Sequence, residues 1–232
     1  MNMKKTKRYA VLSILFFLPV AFLLMLYPST HNYTPLEIVN NNVTDFYSLD
    51  DVKLQDHITV LAFFGKKPLD NSIAASNLKE LVYDKFKGFK KFQVVVVAPK
   101  GFEDDYKELK AEVERYEELK FWHYLYLSED EIKAIFKSLL FEENLDENLS
   151  TDHVFVIDKE RNQRGRIDDR EEKEIEKNIP VYSLSSYDCI EVSEVKNKMI
   201  DDIRILFTEY RQKRKGKFVD SNNRRSKDLK NE

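Results

Sequence analysis

The chain has very little cysteine and little glycine. Of its 232 residues, one is cysteine, Cys189, and five are glycine. A single cysteine cannot form a disulfide within the chain, and it cannot supply a zinc site built from four cysteines. The five glycines form no glycine-rich loop of the kind that holds phosphate groups. These absences exclude a disulfide-stapled domain, a four-cysteine zinc site and a phosphate-loop enzyme.

Charge of one sign is scarce in particular segments. Residues 1–30 contain four basic and no acidic groups, and residues 211–232 contain nine basic and three acidic groups. Residues 31–210 therefore carry a balance of −13. An acidic folded region argues against nucleic acid as a partner. The basic tail at 211–232 has few apolar groups and is predicted to be disordered, with its cations either solvated or resting on anionic lipid.

The N-terminus joins a basic flank to a long uncharged run. The flank, residues 1–8, contains Lys4, Lys5, Lys7 and Arg8, and no charged group occurs at 9–27. About 20 apolar helical residues span the hydrocarbon core of a bilayer, and a basic flank stays cytoplasmic. We therefore predict a single-pass transmembrane helix at 9–27 and a stalk at 28–54, with the folded domain outside. A cleaved signal peptide is the rival interpretation, but its apolar core is usually shorter and ends in small residues.

From residue 55 to residue 210 the pattern predicts one α/β domain. Unbroken apolar runs at 58–64 and 93–98 are typical of strands that are buried on both faces. Further strands are predicted at 121–127 and 153–158, a hairpin at 159–167, and helices at 71–87, 103–118, 128–139 and 195–210. Ser128 and Glu131 form a capping-box pattern. Strand–helix–strand crossovers give a parallel sheet core and the hairpin adds an antiparallel edge, so a central mixed sheet flanked by helices is expected. Residues 170–191 fit no element and are interpreted as an insertion.

Two short motifs and the predicted anchor resemble one family. Residues 60–68 read Val-Leu-Ala-Phe-Phe-Gly-Lys-Lys-Pro, a strand running into a proline turn. Residues 151–159 read Thr-Asp-His-Val-Phe-Val-Ile-Asp-Lys, and 164–168 and 199–206 follow as a return strand and a final helix. Over about residues 43–210 this resembles the Sco family, membrane-anchored proteins linked to copper delivery for cytochrome oxidase. The resemblance implies a thioredoxin-like fold in its peroxiredoxin-like form.

The resemblance also shows what is missing. With Pro68 aligned to the proline of the family's Cys-Pro-x-x-Cys loop, the two cysteine positions hold Lys67 and Asn71. The family's copper site uses two thiolates and one imidazole, and here only the imidazole, His153, remains. Cu(I) selects sulfur ligands, and disulfide exchange requires an attacking thiolate and a resolving partner. We therefore expect no metal, no cofactor and no redox catalysis at this turn.

These inferences lead to three functional hypotheses. The first is a non-catalytic binding or assembly module on the periplasmic side of a bacterial inner membrane, in respiratory cytochrome oxidase biogenesis. Its candidate partner-binding residues are Lys66, Lys67 and Pro68, a basic loop suited to an acidic patch on a protein partner. The alternative is a thiol-disulfide oxidoreductase or peroxiredoxin-like enzyme using Cys189 with an external partner, although neighbouring carboxylates are expected to raise the pKa of that thiol. The third is a purely structural domain of an envelope complex.

Overall fold

The computed structural model describes residues 3–26, 35–46 and 52–216, which fall into two compact units divided after residue 34. In the first unit, helix α1 (Met3–Leu26) covers most of the predicted apolar run and begins within the basic flank. Its side chains at 9 and 11–25 are exposed. Within the described ranges, no helix combines the length and the apolar character needed to cross a membrane. The transmembrane anchor stays a prediction.

A mixed sheet organises the second unit. Its strands are β1 (Glu37–Asn40), β2 (Ile58–Phe64), β3 (Phe92–Pro99), β4 (Trp122–Leu127), β5 (Ser150–Ile157), β6 (Gln163–Gly165) and β7 (Tyr187–Asp188). They lie in the order β1-β6-β5-β2-β3-β4, and β7 pairs with β5 off this path. The parallel part is β2-β3-β4, whereas β5, β6 and β1 continue the sheet with antiparallel pairing. Strand β2 therefore lies at the centre, between a parallel and an antiparallel neighbour.

The central strands are apolar along their whole length because both of their faces are covered. Every residue of β2 and β3 is buried. Successive side chains of a strand point to opposite faces, and the two faces belong to separate core clusters. Val60, Ala62 and Phe64 pack in one cluster, and Leu61 and Phe63 pack in the other. The unbroken apolar pattern at 58–64 thus records burial on both sides of the sheet, as predicted.

Helices connect the strands and close the fold. A helical segment after β2 comprises a 3₁₀ turn (Pro68–Asn71), α2 (Ser72–Asn77), a π-helical stretch (Leu78–Tyr83) and α3 (Asp84–Phe86). The later helices are α4 (Glu103–Val113), α5 (Glu129–Lys137), α6 (Glu172–Glu176), α7 (Val192–Glu194), a second π-helical stretch (Val195–Met199) and α8 (Ile200–Arg214). The capping box of Ser128 and Glu131 at the start of α5 is present, as predicted. Crossovers between parallel strands, followed by an antiparallel hairpin and a final helix, define a thioredoxin-like α/β fold with a mixed central sheet.

The predicted stalk requires correction, because part of it belongs to the domain. Strand β1 pairs with β6 at the edge of the sheet. Val43, Phe46 and Leu54 are buried in the core. Single apolar side chains separated by polar residues gave no periodic signal, so the polar composition of 28–54 was misleading. The domain begins at residue 35 among the described residues, not at 55.

The predicted insertion and tail also differ from expectation. Residues 170–191 contain α6, and they end in β7, which pairs with His153 and Val154 of β5. The last part of the insertion is therefore sheet and core. Helix α8 extends through Arg214, beyond the predicted boundary at 210, and its last turn is rich in basic groups that favour a helix C-terminus. The rest of the predicted basic tail, 217–232, lies outside the described residues.

A buried ion cluster ties the first strand to the last helix. The guanidinium of Arg164 on β6 donates to Asp158 at 2.8 Å and to Glu209 on α8 at 2.6 Å. It also donates to the backbone oxygen of Leu36, just before β1, at 2.5 Å. All three charged side chains are at most 5% exposed. Glu209 also pairs with Lys213, whereas Asp158 has Arg164 as its ion-pair partner, so loss of the guanidinium would leave the buried Asp158 carboxylate without a neighbouring cation among the described residues.

Candidate functional site

The turn that follows β2 is held by backbone contacts. Gly65 has a φ of +64°, and a Cβ there would lie 2.3 Å from the backbone oxygen of Asn148. The same oxygen accepts a hydrogen bond from Lys66 N at 2.8 Å, and Tyr106 Oη donates to the Gly65 oxygen at 2.8 Å. Only glycine fits this position without displacing the neighbouring chain. The turn thus keeps a defined conformation although it contains no cysteine.

Asn71 has a structural role at the position of the family's second cysteine. It is 7% exposed, and its Nδ2 donates to the backbone oxygen of Phe64, the last residue of β2, at 3.2 Å. Its side chain does not cap the following helix. The amide instead ties the start of the helical segment to the end of the central strand. Replacement of this amide would remove the hydrogen bond that joins the turn to the end of β2.

The predicted basic contact loop is only partly available to a partner. Pro68 is buried at the start of the 3₁₀ turn and offers little surface to a partner, so its role in partner binding stays a prediction. Lys66 forms an ion pair with Glu129 at the start of α5, with 2.6 Å between Nζ and Oε1. Lys67 is exposed. Of the three predicted residues, Lys67 alone therefore presents a charge that is not matched by a neighbouring carboxylate in an ion pair within the described residues.

His153 lies on β5 and is held by its neighbours. Its Nδ1 is 3.1 Å from the hydroxyl oxygen of Ser186. The imidazole packs at 4.9 Å from the Phe141 ring, and the backbone of His153 pairs with Asp188 of β7. The side chain is half-buried. These contacts are those of a packed, hydrogen-bonded histidine at the edge of a cleft.

Lys67, Asn71 and His153 are brought together in one cleft, as the motif alignment predicts. The cleft has a volume of about 430 Å³. The remaining charged groups that line it are all acidic: Asp70, Glu143, Asp146, Asp152 and Asp188. Five carboxylates against one ammonium give the cleft a negative charge. The cleft reduces the hydration of the Asp152 carboxylate and Asp188 repels its charge, so the pKa of Asp152 is raised.

The cleft does not have the donors for the copper ion that the family resemblance implies. Lys67 contributes a cation, and the Asn71 amide already donates to the backbone. That leaves one imidazole, with its Nδ1 beside Ser186, and no cysteine among the residues that line the cleft. Cu(I) prefers soft sulfur ligands. In the part of the chain that the structure describes, no group of three or more His, Cys, Asp or Glu side chains is arranged to hold a metal.

The backbone of Cys189 lies beside the cleft, but its side chain does not line it. Its N–H donates to the backbone oxygen of Asp152 at 3.0 Å, next to β7. Its side chain is 0% exposed and belongs to the core cluster. Burial raises the pKa of the thiol, and Asp188 and Asp152 raise it further. A thiolate, the form that attacks disulfides, is therefore disfavoured in the folded protein.

The acidic wall of the cleft was not predicted as a unit. Asp152 belongs to the β5 motif, whereas Asp188 lies next to Cys189, far from that motif in sequence. Their approach depends on β7, a strand of two residues that pairs across a long connection. Glu143 and Asp146 lie in the connection between α5 and β5. No local pattern in the sequence signals that these segments converge.

Comparisons with known proteins find similarity to solved structures only. No protein-family model matches the chain, and no curated protein matches it. Similar solved structures include a SCO1/SenC family lipoprotein from Bacillus anthracis, with 16% identity, 74% of this chain and 97% of that chain covered, and a TM-score of 0.48. The apo Sco1 protein from Thermus thermophilus has 16% identity, coverage of 77% and 99%, and a TM-score of 0.41.

A thiol-disulfide protein is similar as well. The thiol:disulfide interchange protein from Bacteroides sp. has 18% identity, covers 53% of this chain and 77% of that chain, and gives a TM-score of 0.40. The structural neighbours thus include both Sco/SenC family proteins and thiol-disulfide proteins. All of these TM-scores are below 0.5, so the assignment of the fold rests on the order of strands and helices in this chain, and the chemistry rests on the residues of the cleft.

Proposed function

We propose that this chain is a non-catalytic binding module that is anchored to a bacterial inner membrane and uses its acidic cleft to hold a protein partner. The observation that carries the proposal is the content of the two motif positions: an exposed ammonium, Lys67, and a buried amide, Asn71, that is committed to the backbone. Neither group performs thiol or copper chemistry. The scaffold around them is nevertheless kept in a defined geometry by Gly65 and Tyr106.

The charge of the cleft favours a cationic segment of the partner. Five carboxylates line the cleft, whereas Lys66, expected to attract an acidic patch, is matched by Glu129. Clefts lined by one sign of charge attract ligands of the opposite sign and speed their association. A lysine or arginine of the partner would be recognised by Asp70 and Asp152, both of which are exposed. The partner chemistry proposed here is therefore opposite in sign to the one that the sequence suggested.

The setting of the proposal comes from the sequence. The uncharged run at 9–27 behind a basic flank supports an anchor with the domain on the periplasmic side. The resemblance at 151–159 supports a place in respiratory cytochrome oxidase assembly. Retention of the chain by membranes after an alkaline carbonate wash, with the domain digested only from the outer side, is the expected result. A soluble mature form that lacks the run would contradict the predicted anchor. It would not bear on the proposed role of the cleft.

Site-specific photo-crosslinking in native membranes tests the cleft directly. A photoreactive residue in place of Lys67 should give a discrete adduct with a protein partner. The matched control places the same residue at Lys107, an exposed lysine on α4, and should give none. The double substitution Asp70→Asn with Asp152→Asn should abolish the adduct at 67, because it removes two of the carboxylates. Equal adducts at 67 and 107, or an adduct at 67 that survives the double substitution, would refute the assignment.

The oxidoreductase alternative predicts a different outcome. An enzyme that uses Cys189 would form a mixed disulfide with its partner, and Cys189→Ser would abolish it. A binding module keeps its crosslink at 67 in the Cys189→Ser variant, because the thiol lies in the core and does not line the cleft. This single variant therefore separates the two functions.

A further inference from the structure

A second surface of the domain combines aromatic rings with basic side chains. It is a groove of about 810 Å³ between the loop after α3, which carries Phe89, Lys90 and Lys91, and the last turns of α8 from Arg204 to Arg214. Lys159 and Glu160 complete its lining. None of its lining residues is shared with the acidic cleft. We refer to this surface as the basic groove.

The floor of the basic groove is aromatic and partly open to solvent. Phe89 stacks on Phe207 of α8, with 4.2 Å between ring centroids, and Phe86 stacks on the same ring at 5.5 Å. Phe89 is nevertheless 48% exposed. The Phe89 ring therefore offers an apolar contact surface to a ligand. Because Phe207 already holds the ring in place, binding would cost little conformational entropy.

The charge of the basic groove is strongly positive although the domain is acidic. Seven basic side chains line it against one acidic side chain, Glu160. Glu160 already accepts a hydrogen bond from Tyr210 Oη. Four of the cations, Lys90, Lys91, Arg211 and Arg214, are exposed and have no ion-pair partner among the described residues.

The cations of the basic groove stand close enough to repel one another. Burial lowers the pKa of Lys159 and the charge of Lys91 lowers it further; Glu160 opposes this shift, and Arg214 adds a smaller lowering effect. The Nζ of Lys159 lies 4.7 Å from the centre of the Tyr210 ring. An anion in the groove would relieve this repulsion, so the free protein is poised for a ligand of negative charge.

The positive charge continues along the chain beyond α8. Residues 217–232, which directly follow this helix, carry five basic and three acidic groups. A planar anionic surface can engage the basic groove and this segment at the same time, and it can also accept an exposed aromatic ring. A single acidic peptide in the groove would leave the following segment unmatched.

We propose that the basic groove docks onto an anionic phospholipid surface, with Phe89 entering the interface between headgroups and acyl chains and the surrounding lysines and arginines binding the lipid phosphates. Basic side chains near an anionic membrane contribute about 1 kcal/mol each. Removal of Lys90 and Lys91 should therefore weaken docking about 30-fold. This surface is independent of the partner proposed for the acidic cleft.

The test uses the full chain with Phe89→Trp, combined with vesicles that contain brominated phosphatidylcholine, whose acyl chains quench tryptophan. The native Trp122 is buried and provides a constant background. Vesicles that also contain phosphatidylglycerol should quench the tryptophan at position 89, and vesicles of phosphatidylcholine alone should not. The quenching should vanish when salt shortens the Debye length to about 3 Å.

A matched pair of charge reversals completes the experiment. Lys90→Glu with Lys91→Glu should abolish the quenching, whereas Lys107→Glu with Lys133→Glu, on the exposed faces of α4 and α5, should preserve it. Equal quenching with and without phosphatidylglycerol, or equal loss in both double variants, would overturn the proposal. One further outcome would overturn the proposal. If a soluble acidic peptide changes the tryptophan fluorescence at position 89 and anionic vesicles do not, the groove is a protein-binding site.

Discussion

Alanine substitutions at two glycines, Gly65 and Gly101, separate the cost of a steric clash at the turn from the cost of backbone strain. Gly65 and Gly101 both have a positive φ, +64° and +92°, but their surroundings differ. A Cβ at position 65 would lie 2.3 Å from the backbone oxygen of Asn148 and 2.9 Å from the Cβ of Ser150, whereas nothing lies within 4 Å of one at position 101. Alanine therefore suffers the same kind of backbone strain at both sites and a clash only at the first.

The magnitudes follow from these two contributions. An L-residue in the left-handed region costs roughly 1–2 kcal/mol, which is the whole expected cost of Gly101→Ala. Gly65→Ala adds an overpacking cost of about 1–3 kcal/mol, because backbone has to move and the displaced oxygen also accepts the Lys66 hydrogen bond. We expect Gly65→Ala to lose about 2–5 kcal/mol in total.

Urea unfolding of the full chain in mild detergent, followed by the fluorescence of the single tryptophan, measures both costs. The unfolding midpoint of Gly65→Ala should lie clearly below that of Gly101→Ala. Crosslinking at position 67 should also fall in the Gly65→Ala variant, since the turn that positions this residue has moved. Equal losses for the two variants, or a greater loss at 101, would show that the contact with Asn148 does not constrain the turn.

Three further predictions concern other groups. Arg164→Met should cost about 3–5 kcal/mol by urea unfolding, because it leaves the buried carboxylate of Asp158 without an ion pair and Glu209 with Lys213 alone, whereas Arg204→Met, at an exposed ion pair, should cost at most about 1 kcal/mol; similar losses would refute the role of the cluster. Cys189 should resist a thiol reagent in the native protein and react on unfolding, and rapid native labelling would contradict its burial. The pKa of Asp152 is raised in the folded state, so this group's stabilising contribution is greatest at low pH and is lost as pH rises through the folded pKa; Asp188→Asn should lower that pKa in a carboxyl NMR titration.

The parts of the fold that could be predicted are those in which neighbouring residues share one environment. Strand β2 is buried on both faces, so its apolar run is unbroken and its assignment from the sequence is secure. The start of α5 requires a side chain that accepts a backbone N–H, and Ser128 with Glu131 provides the pattern. In both cases a local physical requirement determines the residue types at adjacent positions.

The parts that could not be predicted depend on partners that are distant in sequence. Strand β1 is short and its register is defined by β6, more than 120 residues later, which a local pattern does not encode. The same holds for β7, which has two residues and is defined by its pairing with His153. The turn positions Lys67 and Asn71 could be located from the proline motif. The sign of the charge around them could not, because the carboxylates arrive from four separate segments.

The pairing of β7 with β5 has a consequence for the kinetics of recognition. Two residues that line the cleft, His153 and Asp188, belong to directly paired strands, and a third, Asn71, is held by its hydrogen bond to the Phe64 oxygen. These residues cannot move far without breaking backbone or buried hydrogen bonds. This part of the cleft therefore presents a preformed shape to a partner. We expect encounter to be governed by diffusion and charge, and differences in affinity among partner variants to reside mainly in how quickly each one leaves.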